Sequence, residues 1–366
     1  MRFTITKTAL QTATSVVSKA VVQNATVAFL AGIRIEAKDG WVEMQSTNLA
    51  VSIRHSVQAT IEEEGVVIVS GKILQSIVKA LPDAPVNFDI NDGETVLTMS
   101  CKRSKFRLNT LEATEFPEFP QVKASTSVTL PSALMSDMTN RVYKVASKDN
   151  TRPILQGVNI TISNGTVSMV ATDSYRLAVC DTKAPDDAGE FNAIVPAATL
   201  RDVMGMPTMT DELFIGRSDN QVIMMFGGTT FVTRRIEGNF PNYRQLLPSS
   251  CTTSFVTSVN DIAATLRRVS VVASSNPSVR LDIDSEGHLV RLSCSAPDSG
   301  ESKEEIDCDV TGNSMSISLN HHYLSDCLDG VGEDDLTMEL TGPMQPAIVK
   351  SYGKVNYLSL LMPVRM

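Results

Sequence analysis

The sequence predicts an α+β protein of three repeated domains, each with two helices packed on curved antiparallel sheets, and three observations carry that prediction. A chain of 366 residues is longer than the ~250–300 residues over which one core grows, so it should divide. Self-similarity recurs at about a third of that length, 122 residues per copy. Within each copy, alternating apolar and polar runs are interrupted by two segments of helical periodicity.

The copies align block by block. FTITKTALQTATSVVSKAV from Phe3, VTLPSALMSDMTNRVYKVA from Val128 and FVTSVNDIAATLRRVSVVA from Phe255 each read as a short strand running into an amphipathic helix. AGIRIEAKDGWVEMQSTNLAVSI from Ala31, QGVNITISNGTVSMVATDSYRLAV from Gln156 and SVRLDIDSEGHLVRLSCSA from Ser278 read as strands, with Asp-Gly or Asn-Gly turns in the first two. VIVSGKILQSIVKAL, AIVPAATLRDVMGM and ISLNHHYLSDCLDGV begin a second strand and helix, and their matching Leu74, Leu200 and Leu324 stand 126 and 124 residues apart. The last block pairs Phe106 with Phe231, and Glu115 to Pro117 with Asn239 to Pro241. Boundaries fall at 1–124, 125–252 and 253–366. Such a module packs its helices on one side of its sheets and leaves edge strands free for the next module. Continued edge to edge, that pairing bends into an arc or a closed ring.

Composition excludes several classes. With 42% hydrophobic and 20% charged residues the chain buries real cores and does not read as disordered. Thr, Gln, Ser and Lys interrupt the N-terminal apolar residues, so no signal peptide is expected, and no run approaches the ~18 apolar residues of a membrane span. Cys101, Cys180, Cys251, Cys294, Cys308 and Cys327 are scattered without metal-ligand spacing, which predicts reduced, mostly buried thiols in a cytoplasmic protein. A net charge of −9 argues against an ordinary basic nucleic-acid binder, so any such partner must meet a local basic surface.

No enzymatic constellation emerges. His321 and His322 are adjacent on a predicted helix, about 100° apart, and unsuited to share a metal. The SGKI stretch at Ser70 lacks the first Gly and the Ser or Thr of a phosphate loop. Asp282, Asp284 and Glu286 faintly resemble a calcium loop whose last ligand would be Ser293, which favours a plain strand turn. GVGEDD from Gly330 lacks the third glycine of a dinucleotide loop, and no GxSxG occurs. The expected cofactor, metal and catalytic residue are none.

Basic faces are more informative. On the helix from Gly71 to Leu81, Lys72, Gln75, Ser76 and Lys79 share one face, and Ile73, Leu74, Ile77, Val78 and Leu81 the other. Arg141, Lys144 and Lys148 form a stripe beside Leu134, Met138 and Val145, and Arg267 and Arg268 sit on the equivalent helix of the third copy. The second-copy helix offers Arg201, whereas the helix from Asn320 carries Asp326 and Asp329. The apolar end, Leu358, Leu360, Leu361, Met362, Pro363 and Val364, should finish a strand near Leu361 and then run on as freer surface.

ATDSYRLAVC (Ala171 to Cys180), RPILQGV (Arg152 to Val158), FPNYRQLLP (Phe240 to Pro248) and LLMPVRM (Leu360 to Met366) carry a resemblance over the whole chain. The chain resembles the bacterial DNA polymerase III beta subunits, the replicative sliding clamps. The resemblance implies three DNA-clamp domains forming half of a closed ring, a head-to-tail homodimer around duplex DNA, and no chemistry of its own. Lys72, Lys79, Arg141, Lys144, Lys148, Arg152, Arg201, Arg267 and Arg268 would then face the phosphates. The dimer contact would join Arg103, Lys105, Phe106, Arg107 and Leu108 on an edge strand to Val271, Val272, Asp298, Glu301, Glu304 and Glu305.

The resemblance further implies a cleft for short linear peptides of the DNA polymerase III alpha subunit, the clamp loader and other proteins with a clamp-binding motif. Its lining would be Leu155, Thr172, Arg176, Leu177, Pro241, Leu246, Asn320, Tyr323, Met344, Leu360, Met362, Pro363 and Arg365. The chain departs from the family pattern at Ser174 and Tyr175, where Gly and His are common, at Gln245, where a basic residue is common, and at NATVAFL from Asn24. The competing reading is a repeat-built structural or adhesion protein with no nucleic-acid role.

Overall fold

The computed structural model describes residues 1–111, 116–273, 277–332 and 335–365. Glu115 of the fourth block, Glu333 and Asp334 of the GVGEDD stretch, and Met366 lie outside the described residues.

Six α-helices occur among the described residues, two per repeat: α1 (Lys7–Val17), α2 (Gly71–Ala80), α3 (Ser132–Val142), α4 (Ala197–Met204), α5 (Val259–Val269) and α6 (His321–Val331). Each directly follows a strand, as the repeat predicts. Thr6 opens α1 by accepting from the Ala9 N–H at 3.3 Å, and Asn320 opens α6 by accepting from the His322 and Tyr323 N–H groups. α5 buries Val259, Ile262, Thr265, Leu266 and Val269 at helical spacing, each apolar member being worth about 1.5–3 kcal/mol.

Two details differ from the sequence reading. Ile73 is exposed, because Leu74 and Val78 point into the core and the residue before Leu74 is turned away by a helical step. α3 stops at Val142 and continues as a 3₁₀ turn, Tyr143–Val145, so Lys148 lies on a loop and the expected helical stripe is broken.

The chain forms two compact units, residues 1–133 with 202–235, and residues 134–201 with 236–366. The first contains one 13-stranded sheet, the second a nine-stranded and a four-stranded sheet. The second repeat is shared between the units because each half joins a neighbour's sheet. In the first unit Val51–Gln58 pairs antiparallel with Thr229–Arg234; in the second, Arg176–Lys183 pairs antiparallel with Asn356–Leu361. Both seams follow one rule: the fourth strand of a repeat pairs with the last strand of the next.

Five of the six cysteines are buried and Cys251 is exposed. Burial pushes the Cys327 thiol up to about 11, so it is protonated and unreactive at neutral pH. No helix among the described residues is long and apolar enough to cross a membrane.

His55 sits buried in the first seam, opposite Thr229, with its Nδ1 2.9 Å from the Thr229 hydroxyl. Desolvation holds its pKa below the usual range, against a smaller opposing effect of the Gly228 backbone. The unfolded chain therefore takes up a proton below about pH 6.5 that the fold resists, and stability present above that pH is lost as pH falls. We expect melting temperature to drop between about pH 7 and pH 5, and His55→Asn to flatten that drop. His321 shifts in the same direction, so the difference between the two proteins isolates His55. Superimposable acid limbs in circular dichroism melts would refute this role.

Candidate functional site

The second seam builds the site. Leu177 stands opposite Leu360, and with Val170, Val179 and Ile348 they form a buried cluster. Phe240, Tyr243, Leu247 and Leu358 pack on it only partly buried. Pro241 leads into the 3₁₀ turn Tyr243–Leu246, which leaves Leu246 60% exposed. Met362 is 41% and Met344 54% exposed, so large apolar side chains remain open to solvent in this unit.

One end of the site is fixed by the turn before Arg176. The Asp173 carboxylate accepts from the Tyr175 and Arg176 N–H groups, and the Thr172 hydroxyl donates to the Arg176 carbonyl at 2.7 Å. Ser174 at its tip has φ +78°, a conformation that favours glycine. That explains why Gly suits the position and means Ser174 carries some strain here.

Arg176 is buried and fully engaged. Its Nε donates to Asp173 Oδ2 at 3.1 Å, Nη1 to Asp326 Oδ2 at 2.6 Å and Nη2 to the Lys144 carbonyl at 2.9 Å. The guanidinium also lies 4.3 Å over the Tyr323 ring. Burial raises the Tyr323 pKa, with Asp173 adding to the effect, so the phenol stays a neutral donor. Leu155 is buried on the 3₁₀ turn Pro153–Gln156, whose end ties back through Ser147 N–H to the Leu155 carbonyl at 2.8 Å.

The last strand ends at Leu361, as expected, but the residues after it are tied down. Met362 N–H donates to the Tyr175 carbonyl and Val364 N–H to the Ser318 carbonyl, each at 2.9 Å. Pro363 and Val364 are half-buried and Arg365 is exposed. The structure thus brings Thr172, Arg176, Leu177, Tyr323, Leu360 and Met362 into one bonded and packed assembly. Asn320 contributes as the α6 cap, while Met344 lies in an exposed turn.

The expected phosphate-facing cations divide into exposed and committed groups. Lys72, Lys79, Lys148 and Arg267 are exposed. Arg141 is not: its Nε donates to Asp137 at 2.9 Å, and its Nη1 to the Gly330 and Val331 carbonyls at 3.1 and 3.0 Å. It satisfies carbonyls at the α6 C-terminus, where a cation is favoured. Lys144 is paired with Asp329, and Arg268 with Glu304. A cavity of about 580 Å³ gathers Lys144, Lys148, Arg176 and Arg201 beside Tyr143 and Asp326. Arg152 joins another of about 370 Å³, with Tyr175, Arg176 and Tyr323, and reaches the Ser174 hydroxyl at 3.3 Å.

The DNA polymerase III beta subunit matches the chain by its N-terminal domain over residues 1–120, its central domain over 129–242 and its C-terminal domain over 244–365. The chain belongs to this family. It is 32% identical over 350 residues to the beta sliding clamp of Streptomyces coelicolor, covering 92% of each chain. It is 28% identical to that of Staphylococcus aureus, covering 100% of this chain and 99% of the relative. The sliding clamp structure from Bacillus subtilis superimposes with a TM-score of 0.93 at 26% identity, covering 100% of this chain and 99% of that one.

The remaining residues singled out from the family pattern lie on two strands and their flanks. Lys105, Phe106, Arg107 and Leu108 are on Ser104–Leu111, while Arg103 is in the turn before it. Glu301, Glu304 and Glu305 are on Gly300–Asp307, Asp298 in the preceding turn, and Val271 and Val272 in a 3₁₀ turn, with Val271 exposed to solvent. The acidic cluster is split by strand alternation: Glu304 turns toward α5 to meet Arg268, while Glu301 and Glu305 face the other way.

The sequence reading missed Asp173, Asp326, Phe240, Tyr243 and Leu247. The aromatic and leucine positions lie inside FPNYRQLLP, and the Asp173–Arg176 spacing was a local signal for the ion pair. Replacing Arg176 by Met should leave Asp173 and Asp326 without their cation, at a cost of about 3 kcal/mol in urea unfolding, the low end for a buried pair because Asp326 is partly solvated. Adding Asp326→Asn and Asp173→Asn should recover part of the loss; a single variant as stable as the parent would refute a stabilising role for the Arg176 pairs.

Proposed function

We propose that the chain is a DNA sliding clamp: a homodimeric ring around duplex DNA that tethers DNA polymerase III through its alpha subunit for processivity, and that catalyses nothing itself. The observation that carries this reading is the seam rule. Fourth strand to last strand joins the first repeat to the second and the second to the third. Two strands are left over among the described residues. Gly300–Asp307 ends its sheet, and Ser104–Leu111 bonds Gly65–Ser70 only at Thr110 and Leu111. Joining these two between copies, head to tail, applies the same rule twice more and closes a ring of six repeats, consistent with the closed symmetry of homo-oligomers.

Chemistry at the two edges supports the join. Lys105 and Arg107 flank Phe106 on one, and Glu301 and Glu305 are exposed on the other, an apolar centre with charged flanks of opposite sign. A ring retains DNA by topology, so exposed cations such as Lys72, Lys79, Lys148 and Arg267 need only loose contact with phosphates. This reconciles an acidic chain with DNA, and the protein belongs in the cytoplasm beside the chromosome. The domains of this reading are 1–124, 125–252 and 253–366.

The open apolar surface around Leu177 and Leu360 supports a peptide cleft, with Leu246, Met344 and Met362 free to cover an incoming Leu or Phe. Its ligands are segments of the polymerase alpha subunit, the clamp loader and other replication and repair proteins with the same motif.

Loaded protein should remain on nicked circular DNA through gel filtration and be lost when the circle is cut, and Phe106→Asp should give monomers in sedimentation that are not retained. Equal retention on linear DNA with free ends would leave the structural or adhesion reading standing. For the cleft, Leu246→Asp with Met362→Asp should weaken binding of a polymerase-derived peptide by roughly thirtyfold in calorimetry, about 2 kcal/mol, with the dimer intact. Undiminished binding would put the cleft elsewhere.

A further inference from the structure

The two ends of one exposed ion pair stand out on the basic surface. Lys144 Nζ lies 2.6 Å from Asp329 Oδ2, with the side chains 35% and 56% exposed, so solvent and ligands reach both groups. Lys144 lines the same cavity as Lys148 and Arg201. A phosphate entering there would find Lys144 already occupied by a carboxylate.

Asp329 is out of place by two independent criteria. Leu74 and Leu324 are matching positions of the repeat, and five residues beyond them stand Lys79 and Asp329 respectively. The charge is inverted at the position where the first repeat presents a lysine. Asp329 also lies in the last turn of α6, whose last turn holds no basic residue, although the negative end of the helix dipole disfavours a carboxylate. The helix dipole therefore does not favour an acid here. Its neighbour Asp326 differs, being bound to the buried Arg176.

We infer that Asp329 is a built-in competitor of DNA phosphates, which holds Lys144 in an intramolecular pair and withholds one cation per subunit from duplex DNA until a phosphate displaces it. Exposed pairs of this kind are weak and salt-screened, so the exchange is readily reversible. Its effect is to lower the grip on DNA in a protein that must slide. The inference rests on the DNA-binding reading above.

The test is binding of a short linear duplex, followed by fluorescence anisotropy between about 50 and 200 mM salt. Asp329→Asn is expected to bind about two- to tenfold more tightly at the low end, with the slope of log affinity against log salt steeper by about 0.9 per released lysine. Lys144→Ala alone should change little, and in the Asp329→Asn background it should abolish the gain. No gain from Asp329→Asn, or a gain that persists without Lys144, would overturn the inference, the latter because mere loss of a negative charge would then explain it. Retention of the parent protein on circular DNA is measured in parallel. Failure there faults the ring, whereas the linear duplex titration reads the competition itself.

Discussion

Backbone pairing at the seams is the constraint on which the rest depends. A strand edge exposes a row of N–H and C=O groups that must find partners or be protected. Here an edge of the first repeat is satisfied by the second and an edge of the second by the third, and the side chains on the paired strands become shared core. Phe231 opposite Ile53 and Leu177 opposite Leu360 are the two instances. Because register is periodic in two, a slip of one residue would turn Leu177 and Leu360 to the wrong face and dissolve the apolar cluster. Fold and candidate cleft are thus consequences of one hydrogen-bond ladder.

Arg176 converts that ladder into a rigid site. A buried guanidinium with two carboxylates, a carbonyl and an aromatic ring is held by geometry more than by net energy, since desolvation offsets much of the Coulomb attraction. It secures position: α6, the turn at Ser174 and the chain after Tyr143 are fixed to one planar group. The same α6 receives Arg141 on its last carbonyls and Lys144 on Asp329. Three cations of the second repeat, Arg141, Lys144 and Arg176, therefore converge on a single helix of the third.

Much of this was legible in the sequence, and the limits have physical causes. Strand and helix order and the strand end at Leu361 follow from local periodicity, which the threefold repeat reads three times over. Ile73 and Lys148 were misplaced because a helical wheel says nothing about where the core ends or the helix stops. The contacts of Arg141 and Arg176 with α6 were invisible for another reason: those partners stand 189 and 150 residues away, whereas Asp137 and Asp173 lie four and three residues off in the sequence. Sequence could mark these arginines as cations but not as spent ones, and strand alternation similarly separates Glu304 from Glu305.

The distinction between free and spent charge matters more than the total. A net charge of −9 describes the chain as a colloid, not the field at any one surface. Within the second unit, Arg141, Arg176 and Arg268 are neutralised by carboxylates of the same chain. Arg280, Arg291 and Lys350, on strands, are paired as well, and Lys148 and Arg267 are among the cations left exposed. Sparse cations bind phosphates through few released counterions, so the attraction is shallow and its salt dependence modest. A protein that gripped DNA with all its basic residues would hold one position. One that spends part of them on its own architecture, and is held as a clamp on the duplex, separates holding on from holding still.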